Sequence, residues 1–518
     1  MRRLHSRYRL TGTLTTTSAV NVGGLGPDGT VDLGQVRDGK DQVIVPGSSL
    51  TGVIRAALNG GDAVWWGKDP TGDSEEDRDA CASRIVVADA AACGPVQLEI
   101  RDGVSIDRFT GAAAERHLFT RYVIPPGAAF DFDLAIEVPV PDDDPAARVL
   151  VVQIAALLAG PGLTVGAATT RGLGRMRLCE PDLRRDDLAS AKGLLALLAD
   201  SSERIDLETP HVGPPPGTLR ITVPWRATGP VLSKVADEGG VSDSFPATTN
   251  DGTQLRLLIP GSSVKGALRS HAERIVRTLS GKTVKAGESF DDQIAELSKL
   301  STIGDLFGEA ADHRRDAGRR GLLSVHDITS QVGVPAAEWR AVLANGGAGG
   351  GTAEQRCATF GRAVDALNAA TEQSGLWFDI ASRNAIDRWT GAAADKLLYT
   401  AVEPYAVGDD VWTNLILDVD ITRARKRSGV AVDALLALLL FLLRDFAEGW
   451  LPIGYGTTRG LGSVTADIGK ISFAFEGVAM EDCAVDLHDK SLETVLADLA
   501  VTKRLDTAWQ TSVPKAAS

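Results

Sequence analysis

Two stretches of this chain place a pair of serines and an arginine behind the same turn, a combination suited to binding phosphate. The first reads VIVPGSSLTGVIRAAL over residues 43–58, and the second reads LLIPGSSVKGALRSHA over residues 257–272. Each predicts a short strand, a turn and a helix, with Ser48 or Ser49 as the N-cap in the first stretch. Helix N-terminal amides beside a cation suit a phosphate or a backbone carbonyl, although a plain serine-capped turn would use the same residues. The cations at this position are Arg55 and Arg269.

A second pair of blocks allows close approach to a sugar-phosphate backbone. Thr-Thr-Arg-Gly-Leu-Gly occupies residues 169–174 and returns at residues 457–462. Its Gly-x-Gly is too short for a dinucleotide-binding fingerprint, and it precedes a predicted strand where that fingerprint would open a helix. Glycine removes the side-chain obstruction and arginine supplies a forked donor, although a hairpin turn is the simpler interpretation. The residues concerned are Arg171, Gly172, Gly174, Arg459, Gly460 and Gly462.

A third pair of blocks shows that these motifs belong to a tandem repeat. SIDRFTGAAA at residues 105–114 returns as AIDRWTGAAA at residues 385–394, and all three blocks keep their order. Most of the extra length of the second repeat lies between its first two blocks, which indicates an insertion and excludes a solenoid of fixed period. The predicted domains are a first repeat at 1–180, a linker at 181–217, a second repeat at 218–468 with an insertion at about 280–375, and a C-terminal extension at 469–518.

Each repeat reads as strand, helix, strands, helix and strand, with long loops between them. In the first repeat, residues 130–138 alternate as a half-buried strand does, and residues 149–158 form an apolar helical run. An antiparallel sheet with two helices predicts the α+β class, in the form of two tandem ferredoxin-like (RRM-like) domains with long loop insertions. That fold commonly presents a sheet face or loops to single-stranded RNA.

Composition limits the class of protein. With 518 residues and 44% hydrophobic content, the chain is long enough for several domains with real cores. The apolar run at 435–443 is too short for a membrane span and the N-terminus lacks an apolar signal core, so we expect a cytoplasmic protein without a membrane partner. Five scattered cysteines predict neither a disulfide framework nor a zinc site. A net charge of −14 argues against coating nucleic acid by bulk charge, but a local basic groove remains compatible with it.

The second repeat carries an ordered series of motifs. They are Ile-Pro-Gly-Ser-Ser-Val-Lys-Gly-x-x-Arg at 259–269, Leu-Phe-Gly at 306–308, Ile-Asp-Arg at 386–388 and Thr-Arg-Gly-Leu-Gly at 458–462. The first repeat carries a similar series, preceded by a Gly-Gly pair at 23–24. This series resembles the RAMP superfamily, the repeat-associated proteins of CRISPR effectors, and it is most similar to the backbone subunit of type III complexes. The resemblance covers most of residues 5–178 and 219–468.

The resemblance implies a crRNA-binding backbone subunit of a type III CRISPR RNA-guided effector complex. Such a subunit grips crRNA along its backbone and pushes a thumb-like hairpin between guide and target RNA. A fused pair of repeats is similar to the double-RAMP subunits of type III-D systems. The expected partners are crRNA, target RNA, the large polymerase/cyclase-like subunit, other RAMP subunits and the small helical subunit. The implied RNA-binding residues are Ser48, Ser49, Arg55, Arg108, Arg171, Gly172, Gly174, Ser262, Ser263, Lys265, Arg269, Arg388, Arg459, Gly460 and Gly462.

The resemblance also implies a cleavage site. In that family an aspartate in the loop before the Pro-Gly-Ser-Ser turn is needed for metal-dependent cutting of target RNA at regular intervals. By position it is Asp32 in the first repeat and Asp243 in the second, with Asp38 and Asp251 as nearby competitors. A carboxylate in a flexible loop can hold a hydrated Mg²⁺ or orient an RNA 2′-hydroxyl for in-line attack. We therefore predict an RNA endonuclease that uses a divalent metal, Mg²⁺, at Asp32 and Asp243.

Two other functions remain open at this point. The first is a non-catalytic crRNA scaffold in which one or both aspartates are inactive. The second is a RAMP-type endonuclease that processes the CRISPR precursor by histidine acid–base chemistry. The histidines are dispersed and none lies in a repeated block, and His271 and His326 are predicted to be helix-surface and strand residues.

Two local expectations depend on the repeated blocks. The thumb is predicted to follow Asp107-Arg108 and Asp387-Arg388, with Phe119 or Tyr399 as a wedge against bases, although a packed helix explains the same residues. The first repeat has Thr51 where the second has Lys265, which weakens its expected RNA contact. Arg37 is a nearby cation that could compensate.

Overall fold

The computed structural model describes residues 4–24, 31–58, 60, 62–68, 81–210, 212–236, 240–298, 301–309, 318–347, 350–408, 410–427, 429–475 and 487–512. The chain divides into two compact units. The first contains Met1–Arg101, Thr120–Thr169 and Leu173–Pro215, and the second contains Asp102–Phe119, Thr170–Gly172 and Pro216–Ser518. Two short pieces of the first repeat therefore belong to the second unit.

The first unit is built on an antiparallel sheet. The strands that begin in the first repeat are β1 (Ser6–Thr16), β2 (Ile44–Val45), β3 (Ile85–Val87), β4 (Ala90–Ala91), β5 (Glu99–Ile106), β6 (Ala113–Val123), β7 (Ala129–Val138), β8 (Leu163–Thr164), β9 (Arg175–Asp187) and β10 (Glu203–Ile205). The helices are α1 (Gly47–Ala57), α2 (Ala63–Trp66), α3 (Asp144–Ala159) and α4 (Ala191–Leu198). The sheet order is β10-β9-β1-β7-β3, with β8 paired to β9, and neighbouring strands run antiparallel.

Alternation along β7 explains why this sheet has one buried face. Its apolar side chains fall at every second position and all are buried, and the residues between them are polar or small and reach solvent. Helix α3 covers the buried face, packing against β1, β7 and β9. The β7 residues concerned are Phe130, Phe132, Leu134, Ile136 and Val138, and those of α3 are Ala147, Val151, Ile154 and Leu158.

The second unit repeats the arrangement with more elements. Its strands are β11 (Thr218–Val223), β12 (Trp225–Ala227), β13 (Lys234–Ala236), β14 (Ser244–Pro246), β15 (Thr248–Asn250), β16 (Leu255–Ile259), β17 (Gly308–Glu309), β18 (Arg319–Arg320), β19 (Leu323–Val325), β20 (Ile328–Thr329), β21 (Leu376–Ile386), β22 (Ala393–Ala406), β23 (Leu415–Asp420), β24 (Val464–Ala466) and β25 (Ser472–Phe475). Its helices are α5 (Gly261–Ser280), α6 (Phe290–Ser298), α7 (Ser301–Phe307), α8 (Ala336–Gly346), α9 (Ala353–Thr371), α10 (Ile421–Lys426), α11 (Val432–Ala447), α12 (Leu492–Ala497) and α13 (Leu499–Ser512).

The central sheets of the two units have corresponding strand orders. The second has the order β19-β23-β11-β25, again antiparallel. In both units the first strand, β1 or β11, pairs with a strand that precedes an apolar helix, α3 or α11, and with a strand that follows that helix. Helix α11 contains the apolar run at 435–443 and is buried along most of its length. No helix among the described residues is long and apolar enough to cross a membrane.

The structure confirms the α+β class, and both the predicted linker and the predicted insertion contribute strands to its sheets. The predicted linker at 181–217 contributes the end of β9, the helix α4 and the strand β10, which pairs with β9. The predicted insertion at about 280–375 includes β19, an edge strand of the central sheet. The sequence predicts a strand at 321–325, and β19 lies within it, but no local pattern shows that this strand pairs into the central sheet.

The glycine of each Pro-Gly-Ser-Ser turn is required by close packing at the helix start. A Cβ on Gly47 would lie 2.1 Å from the carbonyl oxygen of Val87, and one on Gly261 would lie 2.4 Å from that of Val325. Both obstructing atoms belong to the backbone of the strand that follows the helix in the chain. Each repeat therefore needs a residue without a side chain where its helix meets its sheet.

We predict opposite effects for two alanine substitutions in α5. Gly261→Ala should destabilise the protein by ~1–3 kcal/mol because the strand backbone must shift. Gly266→Ala should stabilise it by about 0.5–1 kcal/mol, since this helical glycine has no atom within 4 Å of an added Cβ. Urea denaturation of the two variants checks both signs. Equal midpoints would contradict the close approach at Gly261.

Candidate nucleic-acid interface

Helices α1 and α5 begin at the glycine of the turn, before the serines. Pro46 and Pro260 occupy the N-cap positions in extended conformation, and neither helix has a side-chain cap from that position. The first amide of α1 instead donates to Asp89 Oδ1 at 2.7 Å, and the first amide of α5 donates to Asp327 Oδ1 at 2.8 Å. Each helix is thus capped by an aspartate that lies just after the next strand of its sheet.

The prediction that Ser48 or Ser49 caps the helix is therefore wrong, because a proline holds the N-cap position. Ser48 and its counterpart Ser262 are exposed in the first helical turn. Within the described part of the chain, neither of their amides has a hydrogen-bond partner. The following serines, Ser49 and Ser263, donate their amides to the N-cap proline carbonyl. Each helix start keeps one amide and one exposed hydroxyl that a phosphate could accept from.

Lys265 lies at the centre of a group of cations in the second unit. Its side chain is buried, 6% exposed, and its Nζ donates to the carbonyl of Leu323 at 2.7 Å. Burial, together with repulsion from Arg171, Arg269 and Arg320, lowers the pKa of Lys265 to about 7. No carboxylate among the described residues forms an ion pair with it. We call Lys265, Arg171, Arg269 and Arg320 the cation cluster.

The arginines of the cation cluster surround the buried lysine and reach solvent. Arg171 and Arg320 are exposed, and Arg269 is half-buried. Desolvation by the surrounding protein, with repulsion from Arg269, lowers the pKa of Arg171. Arg269 donates to the buried carboxylate of Glu273 at 2.8 Å. Arg320 was missed by the sequence reasoning, since it belongs to no repeated block. Lys265 and Arg171 have no carboxylate partner among the described residues, and a site with this excess of positive charge favours an anionic ligand.

The first repeat lacks an equivalent of this cluster on its own helix. Thr51, at the position of Lys265, donates its hydroxyl back to the carbonyl of Gly47 at 2.8 Å. Arg55 donates to the carbonyl of Gly60 at 3.0 Å. Arg37 pairs with Asp41 in its own loop at 3.3 Å. Arg55 and Arg37 therefore each have a local partner in the protein without RNA.

Both Ile-Asp-Arg blocks form the tips of β-hairpins. Asp107 Oδ1 accepts from the amides two and three residues further on, and Asp387 Oδ1 does the same. The hairpins are β5–β6 and β21–β22, with strands on both sides of each block. The packed helix considered for the residues after each block is therefore wrong, because the alanines there begin the outgoing strand of the hairpin. The thumb stays a prediction.

The two tip arginines have different surroundings. Arg108 Nε donates to Glu273 Oε2 at 2.5 Å, and its amide donates to Gln293 Oε1 at 3.0 Å. Arg388 is exposed and has no hydrogen bond or ion pair with any described residue. The prediction that both contact RNA is not tested by this arrangement. In the structure, Arg108 is engaged by protein.

The two candidate aspartates are held in the same way by their hairpins. Asp32 Oδ2 accepts from the amide of Thr120 at 2.7 Å, and Asp243 Oδ2 accepts from the amide of Thr400 at 2.7 Å. The residue after each aspartate forms a parallel bridge to the residue after each threonine. Asp32 and Asp243 are therefore structurally equivalent, and each lies against the outgoing strand of the hairpin of its own repeat.

The repeated motifs lie within the regions that match a known family. A model of the RAMP superfamily matches residues 13–177 and 246–465, well over half of the chain. The chain belongs to the RAMP superfamily. The two matched regions correspond to a tandem of two RAMP domains. RAMP proteins are generally CRISPR-associated and bind RNA, and some are CRISPR ribonucleases. No curated protein matches the chain.

The competing aspartates of the two RAMP domains have structural roles within turns. Asp38 Oδ1 accepts from the amides of Lys40 and Gln42 at 2.8 and 2.9 Å. Asp251 accepts from Thr253 and Arg256, and although partial burial opposes it, these hydrogen bonds hold the pKa of Asp251 well below its usual range. Both carboxylates are committed to local structure, which leaves Asp32 and Asp243 as the better candidates.

The second RAMP domain has an aromatic platform beside its aspartate. The guanidinium of Arg459 lies 4.6 Å from the ring centre of Tyr399 and 5.8 Å from that of Tyr455. Lys234 Nζ lies 5.3 Å from the same Tyr455 ring. Tyr399 precedes the threonine that holds Asp243. In the first domain the equivalent ring, Phe119, packs over a glycine of its own hairpin.

The predicted Gly-x-Gly residues adopt backbone conformations that favour glycine. Gly172, Gly174, Gly460 and Gly462 all have positive φ. A Cβ on Gly174 would lie 2.4 Å from the carbonyl of Val165, so this residue serves the turn itself. By contrast, an added Cβ on Gly460 would meet no atom within 4 Å. The open position is the one available to a ligand or partner.

The histidines are engaged in structural contacts. His271 is buried, and its Nε2 lies 2.7 Å from Asp445 Oδ2, so the expectation of a helix-surface position is wrong. His326, just after β19, lies 2.8 Å from Asp418 Oδ2. Within the described ranges, no group of three or more His, Cys, Asp or Glu side chains could hold a metal ion. His211 and His313 lie outside the described residues.

Proposed function

We propose that this RAMP protein is a crRNA-binding backbone subunit of a type III CRISPR effector complex that also binds and cleaves target RNA. The observation that carries the proposal is the cation cluster around Lys265. Four cations share this site, and the buried lysine has no carboxylate partner among the described residues. An RNA phosphate would supply the missing negative charge, and Arg171 and Arg320 reach solvent beside it.

Cleavage is assigned to Asp32 and Asp243, one per domain. Each has one carboxylate oxygen fixed by a threonine amide, and the other has no hydrogen-bond partner among the described residues. In the proposed reaction the RNA 2′-hydroxyl gives up its proton to water, and its oxygen bonds to the adjacent phosphorus as the P–O5′ bond breaks. The products are a 2′,3′-cyclic phosphate and a 5′-hydroxyl, which takes up a proton. The aspartates orient the attacking 2′-hydroxyl.

The donor set at each aspartate fits a divalent cation of the Mg²⁺ type. Mg²⁺ is commonly held by one or two carboxylates together with substrate phosphates and water, so one free carboxylate oxygen per domain is sufficient when RNA is bound. Such an ion would supply charge neutralisation at the reacting phosphate. Asp32 and Asp243 would hold it, and their threonine partners would keep each carboxylate oriented.

The proposal includes the ferredoxin-like fold and the expected partners. When the four main strands of each unit are numbered along the chain, their order across the sheet is second, third, first, fourth. A helix follows the first of these strands and another follows the third. This order and connection support a ferredoxin-like arrangement. Beyond crRNA and target RNA, the partners proposed are the large polymerase/cyclase-like subunit, other RAMP subunits and the small helical subunit. The cellular location that this assembly implies is the cytoplasm.

RNA binding tests the proposal directly. The double variant Arg171→Ala, Arg320→Ala should bind fluorescent crRNA about tenfold or more weakly, since each arginine removed takes with it a charge-assisted hydrogen bond to phosphate. The slope of log affinity against log salt should fall by about 1 for each phosphate that the variant no longer neutralises. Arg504→Ala, an exposed arginine of α13, is the matched control and should leave both quantities unchanged. An unaltered salt slope in the double variant would sink the assignment of the cation cluster.

The alternative function, a non-catalytic crRNA scaffold, shares the RNA-binding site and differs only at the aspartates. The equivalent hydrogen bonding of Asp32 and Asp243 favours two sites with one role. Substitution of the two aspartates separates the functions, because a scaffold would bind crRNA and target RNA without cutting at either position.

A further inference from the structure

Two surfaces of the first repeat contact helices α5 and α6 or the cap of α5, and the matching surfaces of the second repeat make no equivalent contact among the described residues. The first surface is the hairpin tip at 107–112, which we call the first tip. Its counterpart in the second repeat is the hairpin tip at 387–392, which we call the second tip. The other is the loop at 170–172, whose counterpart is the loop at 458–460. Both first-repeat segments belong to the second compact unit.

The first tip is bound by a buried site on α5 and α6 that consists of a glutamate and a glutamine side chain. We call this site the acceptor. Arg108 Nε donates to Glu273, and the Arg108 amide donates to Gln293 Oε1 at 3.0 Å. Gln293 Nε2 in turn donates to Asp107 Oδ2 at 2.8 Å. Glu273 is 1% exposed and Gln293 is fully buried. Each polar group of the acceptor therefore has a partner on the Asp-Arg pair of the tip.

The loop at 170–172 approaches the cap of α5. An added Cβ on Gly172 would lie 2.4 Å from Asp327 Oδ1 and 3.0 Å from Asp327 N. Asp327 is the residue that caps α5 through the amide of Gly261. A residue without a side chain is thus needed where the loop meets the helix cap, and Arg171 then lies within the cation cluster.

Arg388 of the second tip and Gly460 of its loop present the same chemistry, and neither has a partner among the described residues. Arg388 has no hydrogen bond or ion pair with a described residue, and Trp389 beside it is 96% exposed. Gly460, the counterpart of Gly172, faces open space. The strands leading to the second tip expose further apolar side chains, namely Trp377, Ile386, Leu397 and Leu398. An exposed apolar hairpin of this kind marks an interaction surface.

The occupant of this surface is not a second copy of the chain. The acceptor in the second repeat is already filled by the first tip. In the first repeat, Asn59 stands at the position of Glu273, four residues after the turn-helix arginine, and α1 has already ended at Ala57. The described part of the chain therefore has an unfilled tip in the second repeat, and the sequence position equivalent to Glu273 in the first repeat is not acidic.

We propose that the second tip docks on a different polypeptide, a RAMP-type domain with an acidic residue four positions after its turn-helix arginine. Arg388 pairs with that carboxylate, Trp389 packs beside it, and Gly460 meets the aspartate that caps the partner helix. The chain is thereby directional, since it can extend an assembly from its second repeat and cannot do so by self-association. This inference rests on the two tips and does not depend on RNA cleavage.

A variant of the chain itself provides an acceptor of the required chemistry. Replacing residues 107–112 with an Asn-Gly turn removes the first tip and leaves Glu273 and Gln293 uncovered. A milder variant, Arg108→Glu, repels the first tip from Glu273. Both variants retain the second tip. Thermal melting first shows whether they are folded. The folded variants and the unaltered chain are then treated with nuclease and compared by analytical ultracentrifugation.

The unaltered chain should sediment as a monomer, and the shortened-tip variant should form head-to-tail oligomers. Adding Arg388→Glu should weaken this association at least ~tenfold, and adding Glu273→Arg to that variant should restore it. Gly460→Asn should also weaken association, since asparagine tolerates a positive φ but adds a side chain at the contact. The matched controls are Lys503→Glu and Gly429→Asn, which alter an exposed cation and an open positive-φ glycine elsewhere.

Three results would overturn the proposal. One is a folded shortened-tip variant that remains monomeric. Another is association that neither Arg388→Glu nor Gly460→Asn weakens. The third is self-association of the unaltered chain through Arg388, which would make a second copy the occupant. Failure of the RNA-binding test would leave these protein measurements unaffected, so the two proposals can fail separately.

Discussion

Replacing Asp32 and Asp243 together by alanine is expected to abolish target-RNA cleavage by the assembled complex while crRNA binding is retained. Both carboxylates accept a hydrogen bond from the outgoing strand of a hairpin, and neither contributes to the cation cluster. Loss of a group that positions a reacting hydroxyl or proton typically lowers the rate by ~10²–10⁴-fold. Denaturing gels of end-labelled target RNA, with Mg²⁺ and with EDTA, measure the effect at each cleavage position.

Single substitutions separate the two sites. Each of Asp32→Ala and Asp243→Ala should remove one cut and leave the other, because each aspartate is held by the hairpin of its own domain. The asparagine variants are the sharper control, since an amide oxygen can still accept from Thr120 or Thr400 but carries no charge. They should be as inactive as the alanine variants. Cutting at both positions by the doubly substituted complex would show that these aspartates are not the catalytic groups.

The resemblance placed the candidate aspartates in the loop before the turn, and it preferred Asp32 and Asp243 to Asp38 and Asp251 by position alone. The Pro-Gly-Ser-Ser turn fixes a reference point, and a carboxylate in the loop before it is visible without a structure. What separates Asp32 from Asp38 is a strand pairing with Thr120, far along the chain, and no local pattern encodes that pairing. Asp38 instead accepts from amides within its own turn, a local arrangement that a sequence could have suggested.

The features that sequence reasoning missed all depend on contacts between distant segments. Serine is a good N-cap by propensity, but Pro46 takes that position and Asp89 supplies the cap from beyond the next strand. A signal was present, because both repeats have an aspartate shortly after a short apolar strand. No sequence signal marks Arg320, because only its position near Lys265 in the structure makes it a member of the cation cluster. The repeated core elements were predictable because alternation in β7 and the apolar run in α11 are local.

Lys265 is the residue whose substitution should change RNA affinity most. It is the buried member of the cation cluster, and its charged form is disfavoured in the free protein by burial and by Arg171, Arg269 and Arg320. A bound phosphate would favour that charged form. Lys265→Met should therefore weaken crRNA binding by about 10- to 100-fold below pH 7, which corresponds to removing a charge-assisted hydrogen bond of about 1.5–3 kcal/mol. The fold should be retained, because the substitution also removes a buried positive charge.

The lowered pKa gives the affinity a specific pH dependence. Lys265 has a pKa of about 7 in the free protein, below its ordinary value, and phosphate raises it in the complex. Binding above pH 7 therefore takes up a proton, and affinity should fall by up to tenfold per pH unit from pH 7 until the pKa of the complex is reached. Stability of the free protein has the opposite trend: because the unfolded chain binds more protons, the free energy of unfolding should rise with pH above 7.

Two substitutions distinguish this mechanism from a general effect of pH on the RNA or the fold. Lys265→Arg keeps its charge throughout the range, so its affinity should stay high and flat where that of the unaltered protein falls. Lys265→Met should be flat and low. Fluorescence anisotropy with crRNA between pH 6 and 9 at constant salt provides the comparison. A slope that persists in both variants would place the titrating group elsewhere, whereas its loss in both would show that one buried lysine, set among three arginines, couples RNA binding to a proton.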